Sequence, residues 1–300
     1  MIQLSNAAQA LIKEVEPRQA VGGVDYIGIP TGFTTLDYNL GGFRNDSLYV
    51  LGGRSGIGKS SMAISVMLNM AKNGAKAWYT TLEMSADLVA LRLLSSMTGI
   101  PAMALERGKI SDQQMEAVKE AALEFEKLDV VVDDVNNTTT AFEEATKEQR
   151  NKHGLDFAVA DYASLFQDGG TDSLYEKETK VSLKMRDVAR QLDIPVLCLV
   201  QLNRNMIGRE NSKPILSDIK QTGGYEQDAA AVMFVHRPHL EAMYRDNADP
   251  VDAEDATLIV AKNRHGPVGE LDVIFEPKKM VWRDKEVVIN EPPPIRRKNG

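Results

Sequence analysis

Short apolar runs alternate along this chain with stretches whose apolar residues recur at three- and four-residue spacing. The runs Leu48–Leu51, Ala75–Leu82, Leu128–Val132, Phe157–Asp161, Pro195–Leu202 and Ala229–Arg237 read as buried strands. Between them, helical periodicity marks Lys59 to about Lys72, Ser85–Met97, Ser111–Lys127 with Ser111 as N-cap, Thr140–His153 and Glu176–Leu192. Ala256–Arg264 and Glu270–Glu276 close the pattern as strands, the second alternating Leu271, Val273 and Phe275. Strand and helix alternate through the first two-thirds, after which strand follows strand. That order predicts an α/β fold: a mostly parallel central sheet with helices on both faces and antiparallel strands at the C-terminal end.

The N-terminal residues behave differently. Asn6–Val15 sets Ala7, Ala8, Leu11, Ile12 and Val15 on one narrow stripe, a short helix that Pro17 and the Gly22-Gly23 pair are expected to break. Such a helix is marginal alone, so it docks either on its own domain or on something else. The segment Ile29–Gly42, IPTGFTTLDYNLGG, carries a short helical piece around Thr35–Leu40. At the other end, a three-proline run and Arg296, Arg297 and Lys298 read as a disordered tail.

Ligands of doubly wound sheets bind at the carboxyl ends of strands, so chemistry is expected at the residues that end them. The strongest signal is SLYVLGGRSGIGKSS from Ser47 to Ser61, a strand, a glycine-rich turn and a helix opening that fit G-x-x-x-x-G-K-[ST] at Gly53–Ser60. Triphosphate oxygens need several converging backbone N–H donors, and glycine lets the chain approach that closely. Gly53, Arg54, Ser55, Gly56, Ile57, Gly58, Lys59, Ser60 and Ser61 are therefore expected to bind nucleotide, with Lys59 at the outer phosphates and the Ser60 hydroxyl on Mg²⁺. Asp161 ends an apolar run as a Walker B carboxylate does and is the second expected Mg²⁺ residue. Glu83 is expected to close a strand beside the phosphate-binding strand, where it can serve as general base toward a water. Gln201 ends VLCLVQ, where an amide can sense the γ-phosphate. Lys262 and Arg264 stand at the end of a late strand.

Composition narrows the reading. Of 300 residues, 43% are hydrophobic, ordinary for a globular protein, and no apolar run approaches a membrane span. The N-terminus has no charged-then-apolar leader, so a cytoplasmic location is expected. A single cysteine, Cys198, excludes an intramolecular disulfide, and no Cys/His cluster has metal-ligand spacing. The formal net charge of -8 argues against coating nucleic acid with the whole surface but leaves room for a local basic lining. Such a lining is available in Asn203–Gly224, which shows no convincing secondary structure and carries Arg204, Arg209, Lys213 and Lys220.

From about Ile29 to Arg283 the chain resembles the C-terminal RecA-like ATPase domain of DnaB-family replicative helicases. The resemblance rests on TGFTTLD, GGRSGIGKSS, TTLEM, AVADY, VQLNR, GYEQDAAAVMF and AKNRHGPVG, in the family order. It implies that Lys59 and Ser60 bind ATP and Mg²⁺, that Glu83 is the catalytic base and that Gln201 reports nucleotide state. It also implies that Lys262 and Arg264 act on the nucleotide of a neighbouring subunit, Arg264 as arginine finger. Lys220, Gln221 and Gly223 match the positions that grip single-stranded DNA in the central channel; the family usually has arginine then glutamate where Lys220 and Gln221 stand. The implied assembly is a ring, expected hexameric, moving 5′ to 3′ on single-stranded DNA and unwinding duplex, with primase or a helicase loader as further partners and no membrane. A RecA/RadA-type DNA-dependent ATPase, or a nucleotide-gated binding or loading ring, is the alternative. The expected organisation is a linker helix and flexible segment over residues 1–28, the ATPase domain over 29–284 and a tail over 285–300. Only about 28 residues precede the IPTGF segment, where the family carries a separate helical domain, so a short form is expected.

Overall fold

The strand β1 (Leu48–Gly53) is buried at every position, which requires a neighbour on each edge and a layer on each face. The computed structural model describes residues 3–20, 23, 26–167, 173–203, 213–219, 223–246 and 248–285. In chain order they form α1 (Leu4–Ala20), α2 (Thr34–Leu40), β1, α3 (Lys59–Lys72), β2 (Ala77–Thr81), α4 (Ala86–Thr98), α5 (Ala102–Glu106) and α6 (Asp112–Phe125). Then come β3 (Val130–Asp133), α7 (Thr139–His153), β4 (Phe157–Asp161), α8 (Leu174–Leu192), β5 (Val196–Gln201), α9 (Gly223–Asp228) and β6 (Ala231–His236). The chain closes with α10 (Pro238–Asp246), β7 (Glu254–Asn263), β8 (Gly269–Glu276) and β9 (Val281–Asp284).

The nine strands make one sheet in the order β3-β2-β4-β5-β1-β6-β7-β8-β9. Pairing is parallel from β3 to β6 and antiparallel from β6 to β9. Side-chain alternation divides the interior in two. Tyr49, Leu51, Val159, Leu197 and Leu199 face one side, where Met62, Val66, Met67 and Met70 of α3 and Val89 and Leu93 of α4 cover them. Val50, Ala158, Ala160, Val196, Cys198 and Val200 face the other, under Phe142 of α7 and Val181, Met185 and Val188 of α8. The fold class read from the alternation is the one observed. Ser111 caps α6 as expected, in a reciprocal pair with Gln114.

The structure corrects several expectations. The N-terminal helix runs through Pro17 to Ala20. Proline costs an interior helix one backbone hydrogen bond, but α1 buries none of its residues, so water can satisfy the freed carbonyl. Its apolar Leu4, Leu11, Ile12 and Val15 are exposed; the helix does not pack on its own domain. Glu83 does not follow a strand beside β1: β4 and β5 lie between β2 and β1. The ends of β7 and β1 are also on opposite edges. β7 runs antiparallel to β6, pairing Asn263 with Ala231, so Lys262 and Arg264 sit by the start of β1, where Arg264 N donates to Ala230 O at 2.8 Å and Ala230 N to Leu48 O at 2.7 Å. The helices α5 and α10 and the strand β9 have no counterpart in the sequence pattern; five, nine and four residues long, they offer little periodicity to read. The C-terminal tail beyond residue 285 lies outside the described residues.

The TGFTTLD segment is anchored by Asp37, a buried carboxylate in the first turn of α2 that accepts hydrogen bonds from Thr31 N at 2.7 Å and Gly32 N at 3.0 Å. Burial outweighs those donors and pushes its pKa up to about 6. The folded protein therefore holds this proton up to higher pH than the unfolded chain, whose carboxyl has the ordinary value of about 3.9. Stability from this group is fully present below the unfolded value and is lost as pH rises through about 6. Asp37→Asn, which cannot ionise, should show a smaller loss of thermal stability than wild type between pH 5 and pH 7; an identical loss in both proteins would remove Asp37 from the pH dependence.

Candidate functional site

Between the end of β1 and the start of α3 the chain turns on Gly56 (φ 72°) and Gly58 (φ 100°), both in the left-handed region that glycine adopts without strain. Gly53 is required for a different reason: a Cβ there would stand 2.7 Å from Ile57 Cγ2 and 2.8 Å from Val235 Cγ2. The turn delivers the N-terminus of a fourteen-residue helix, whose first amide groups have no intrahelical acceptor and carry the positive end of the dipole. These amides border a cleft of about 560 Å³. Ser55, Gly56, Gly58, Lys59, Ser60 and Ser61 line it, with Glu83 and Gln201. Gly53, Arg54 and Ile57 shape the turn from behind and do not line the cleft.

Lys59 Nζ donates to Arg54 O at 3.0 Å, which curls the side chain over the turn. Burial lowers its pKa, and the charges of Asp161 and Glu83 oppose that shift. Gln201 reaches the cleft because β5 is the direct neighbour of β1, pairing Gln201 with Gly53. Glu83 arrives by another route. Thr81 Oγ1 donates to Met84 O at 3.0 Å and accepts from Met84 N at 3.1 Å, and Leu82 N donates to Asp161 O at 2.8 Å. These bonds close a short loop beyond β2 that leaves Glu83 exposed at the cleft wall, with two strands between β2 and the strand that carries the turn.

Asp161 is fully buried at the end of β4 and does not line the cleft. Burial pushes its pKa up, while the Tyr79 and Ser60 hydroxyls hold it down. Tyr79 Oη donates to Asp161 Oδ2 at 2.6 Å, and burial together with the neighbouring carboxylate keeps that phenol protonated. Asp161 Oδ1 is left buried without a partner, an anomaly for an interior oxygen. A buried oxygen lacking a donor beside a serine hydroxyl fits a hard cation or its water shell, which takes one or two protein oxygens and fills its remaining positions with phosphate and water.

Other predicted residues are placed elsewhere. Lys262 Nζ donates to Ala229 O at 2.7 Å and also to Glu226 O, capping the C-terminal carbonyls of α9. Arg264 Nη2 donates to Gln227 O at 3.2 Å, and the side chain is exposed. Neither reaches the cleft of its own chain. Lys213 Nζ is paired with Glu270 Oε2 at 2.6 Å, so its charge is already engaged. Gly223 opens α9, where an unstructured end was expected. Arg204, Arg209, Lys220 and Gln221 lie outside the described residues.

Three side chains at the site carry no signal in the sequence: Tyr79, which bonds Asp161, and Arg237 and Trp282, which touch the glycine-rich turn. Strand alternation places Tyr79 inside but does not name its partner. Leu240, Met243, Val251, Pro277 and Met280, from α10 and the connections around β7–β9, form an apolar wall opposite.

The family model described as the DnaB-like helicase C terminal domain matches residues 28–284. The replicative DNA helicase DnaB of Helicobacter pylori (strain ATCC 700392 / 26695) is 31% identical over an alignment of 312 positions, covering 91% of this chain and 62% of that relative. The chain thus spans less than two thirds of that protein. A solved structure described as an ATPase domain superposes with a TM-score of 0.84 at 24% identity, over 95% of this chain and 99% of the other. A likeness at that identity speaks for the fold alone. A second, described as a DnaB-like replicative helicase and its interactions with primase, gives a TM-score of 0.81 at 25% identity over 93% of this chain and 66% of the other.

The bond between Tyr79 and Asp161 has a measurable consequence. A hydroxyl that orients a metal-facing carboxylate typically affects metal affinity by about tenfold or more. If Asp161 holds Mg²⁺ beside a bound nucleotide, Tyr79→Phe should raise the Mg²⁺ concentration needed for half-maximal Mg²⁺-dependent nucleotide binding by about tenfold, with nucleotide affinity measured without Mg²⁺ changed by less than about twofold. An unaltered Mg²⁺ dependence would mean that Tyr79 only fills the core.

Proposed function

The chain belongs to the DnaB-like helicase C-terminal domain family, and from that premise we propose that it is the motor of a ring-forming replicative DNA helicase driven by ATP hydrolysis. The reading is supported above all by one arrangement: a cleft at the carboxyl edge of the sheet lined by Lys59, Ser60, Glu83 and Gln201. The turn amides from Ser55 to Ser61 and the Lys59 ammonium bind the phosphates. Glu83, exposed at the cleft wall and carried on a braced loop, orients and deprotonates the water that attacks the γ-phosphate. Gln201, in register with the last residue of β1, senses whether that phosphate is present. Mg²⁺, when bound, supplies neutralisation of the phosphate charge, and Ser60 and Asp161 are the residues that hold it.

Arg264 completes the site of an adjacent copy. β1 is six residues long, so its two ends stand roughly 17 to 20 Å apart at the rise of a β-strand; the cleft lies at one end and Arg264 at the other. A group so placed acts on a neighbour's cleft in a head-to-tail arrangement, the kind of contact that closes into a ring, here a hexamer. Its guanidinium then stabilises the charge of the transferring phosphoryl group, with Lys262 beside it. Residues 29–284 are the ATPase unit, and residues 1–28 a linker segment whose exposed apolar stripe packs on an adjacent subunit. Arg204, Arg209, Lys220, Gln221 and Gly223 belong to the channel-facing segment that holds the phosphates of single-stranded DNA, a contact free of base information as a translocating motor requires, while Lys213, paired with Glu270, secures that segment to β8. Primase or a loader is a further partner of the ring, and the working compartment is the bacterial cytoplasm.

A forked duplex with a free 5′ tail tests the proposal. Strand separation should require ATP, and Glu83→Gln should abolish it by lowering turnover ~10²-fold or more, with ATP affinity kept within a few-fold. ATP-dependent DNA binding without strand separation by the wild-type protein would replace the helicase with a loading or holding ring.

A further inference from the structure

The outer face of the phosphate-binding turn is held by side chains from the antiparallel part of the sheet. Arg237, the residue after β6, directs Nη1 at two successive carbonyls, Gly56 O at 3.4 Å and Ile57 O at 3.3 Å. The indole Nε1 of Trp282, on β9, donates to the next one, Gly58 O, at 2.9 Å. Both donors are themselves fixed. Arg237 forms a buried ion pair with Glu254 at the start of β7, and its guanidinium carbon lies 4.3 Å from the centroid of the Phe275 ring on β8. That ring packs on Trp282 with centroids 4.6 Å apart. Arg237, Glu254, Phe275 and Trp282 are all buried.

A trans peptide is planar, so each carbonyl and the N–H that follows it point in opposite directions. Holding the carbonyls of residues 56, 57 and 58 outward therefore turns the N–H groups of Ile57, Gly58 and Lys59 away from Arg237 and Trp282. Ile57 N donates to Arg54 O at 3.3 Å. Gly58 and Lys59 open α3, border the cleft and have no intrahelical acceptor for their amides. Two residues of this turn are glycines at positive φ, and glycine by itself leaves the peptide planes free to rotate. Met62 N of α3 also donates to Gly58 O at 2.9 Å, so the direction of the amides depends on Arg237 and Trp282 together with the first bond of that helix.

We infer that Arg237 and Trp282 are positioning residues of the nucleotide site, fixing the carbonyls of the turn outward so that its N–H groups converge on phosphate. The inference rests on the phosphate-binding reading proposed above. It assigns the antiparallel strands a task in ligand binding: Arg237 and Trp282 hold the carbonyls of the turn between β1 and α3, and Arg237, Glu254 and Phe275 also border the cleft. The pair acts through the backbone, so its contribution is uniform binding of any ligand with a phosphate in the turn and is independent of the chemical step.

Affinity for ADP and for inorganic pyrophosphate, measured by titration calorimetry, tests this beside the thermal midpoint of the ligand-free protein. Trp282→Phe keeps a ring against Phe275 but loses the N–H donor together with the second ring of the indole. It should weaken both ligands by a common factor of about 5 to 10, raise KM for ATP by a similar factor with kcat within about twofold, and leave the midpoint within about 3 °C. Arg237→Met alone would strand the Glu254 carboxylate in the interior, so the second variant is Arg237→Met combined with Glu254→Gln, with a loss at least as large. Phe142→Leu, in the core layer on the other face of the sheet, is the control: both donors and their supports stay, packing is reduced, and the midpoint should fall with affinity nearly kept. Unchanged affinity in the first two variants, or affinity that tracks the midpoint across all three, would overturn the inference. A wild-type protein that binds neither ADP nor pyrophosphate would instead overturn the phosphate-binding reading itself.

Discussion

The central pairing of β1 between β5 and β6, with helices over both its faces, is the constraint from which the site follows. A strand enclosed on all sides can end only at the sheet's edge, and its last residue must turn into a helix that covers the sheet it has just left. The glycine-rich turn solves that geometry while leaving helix amides unsatisfied at the edge. Every other group at the cleft is placed relative to that one turn. Gln201 comes from the neighbouring strand and Glu83 from a loop beyond the third, tied back to β4 through Leu82 N, while Asp161 stays buried at the end of β4 between them. The buried strands fix these positions far more tightly than surface loops could, because a shift of one residue in register would move an entire apolar face out of its layer.

The reversal of strand direction after β6 gives the chain two chemical edges. β7 begins at Glu254, which holds Arg237 against the glycine-rich turn, and ends at Asn263, with Arg264 following by the opposite edge of the sheet. One ten-residue strand therefore spans from the chain's own cleft to Lys262 and Arg264, about 30 Å at the usual rise per residue. The cations at its far end are not loose: α9 carbonyls hold both. Burial also lowers the pKa of Lys262, with the Arg264 charge adding to the shift, as expected of two like charges gathered at one helix end. Concentrating positive charge there is costly in an isolated chain and favourable where a phosphate lies opposite.

Much of this was legible in the sequence because it is written locally. The turn, the strand before it and the helix after it occupy one stretch from Ser47 to about Lys72, and the alternation of strand and helix gives the fold class. Strand order is not local. Periodicity says that Ala77–Thr81 is a strand but not that two others separate it from β1, and it cannot give the direction of β7, which moves Lys262 and Arg264 to the opposite edge. The side chains that brace the site are illegible for the same reason: Tyr79 meets Asp161 across 82 residues, Arg237 meets Ile57 across 180 and Trp282 meets Gly58 across 224. Pro17 misleads in the other direction, since a proline stops a helix mainly where its lost hydrogen bond has no water to replace it.

The central claim is that a working site takes its turn from one chain and its arginine from the next. Mixing Lys59→Ala protein with Arg264→Ala protein tests it most directly, each being nearly inactive alone. In a randomly mixed equimolar ring, roughly one quarter of the interfaces join an intact turn to an intact arginine. With subunit exchange demonstrated by energy transfer between labelled chains, the account predicts that ATPase activity returns toward that fraction of the wild-type rate. Demonstrated exchange with no return of activity would contradict it.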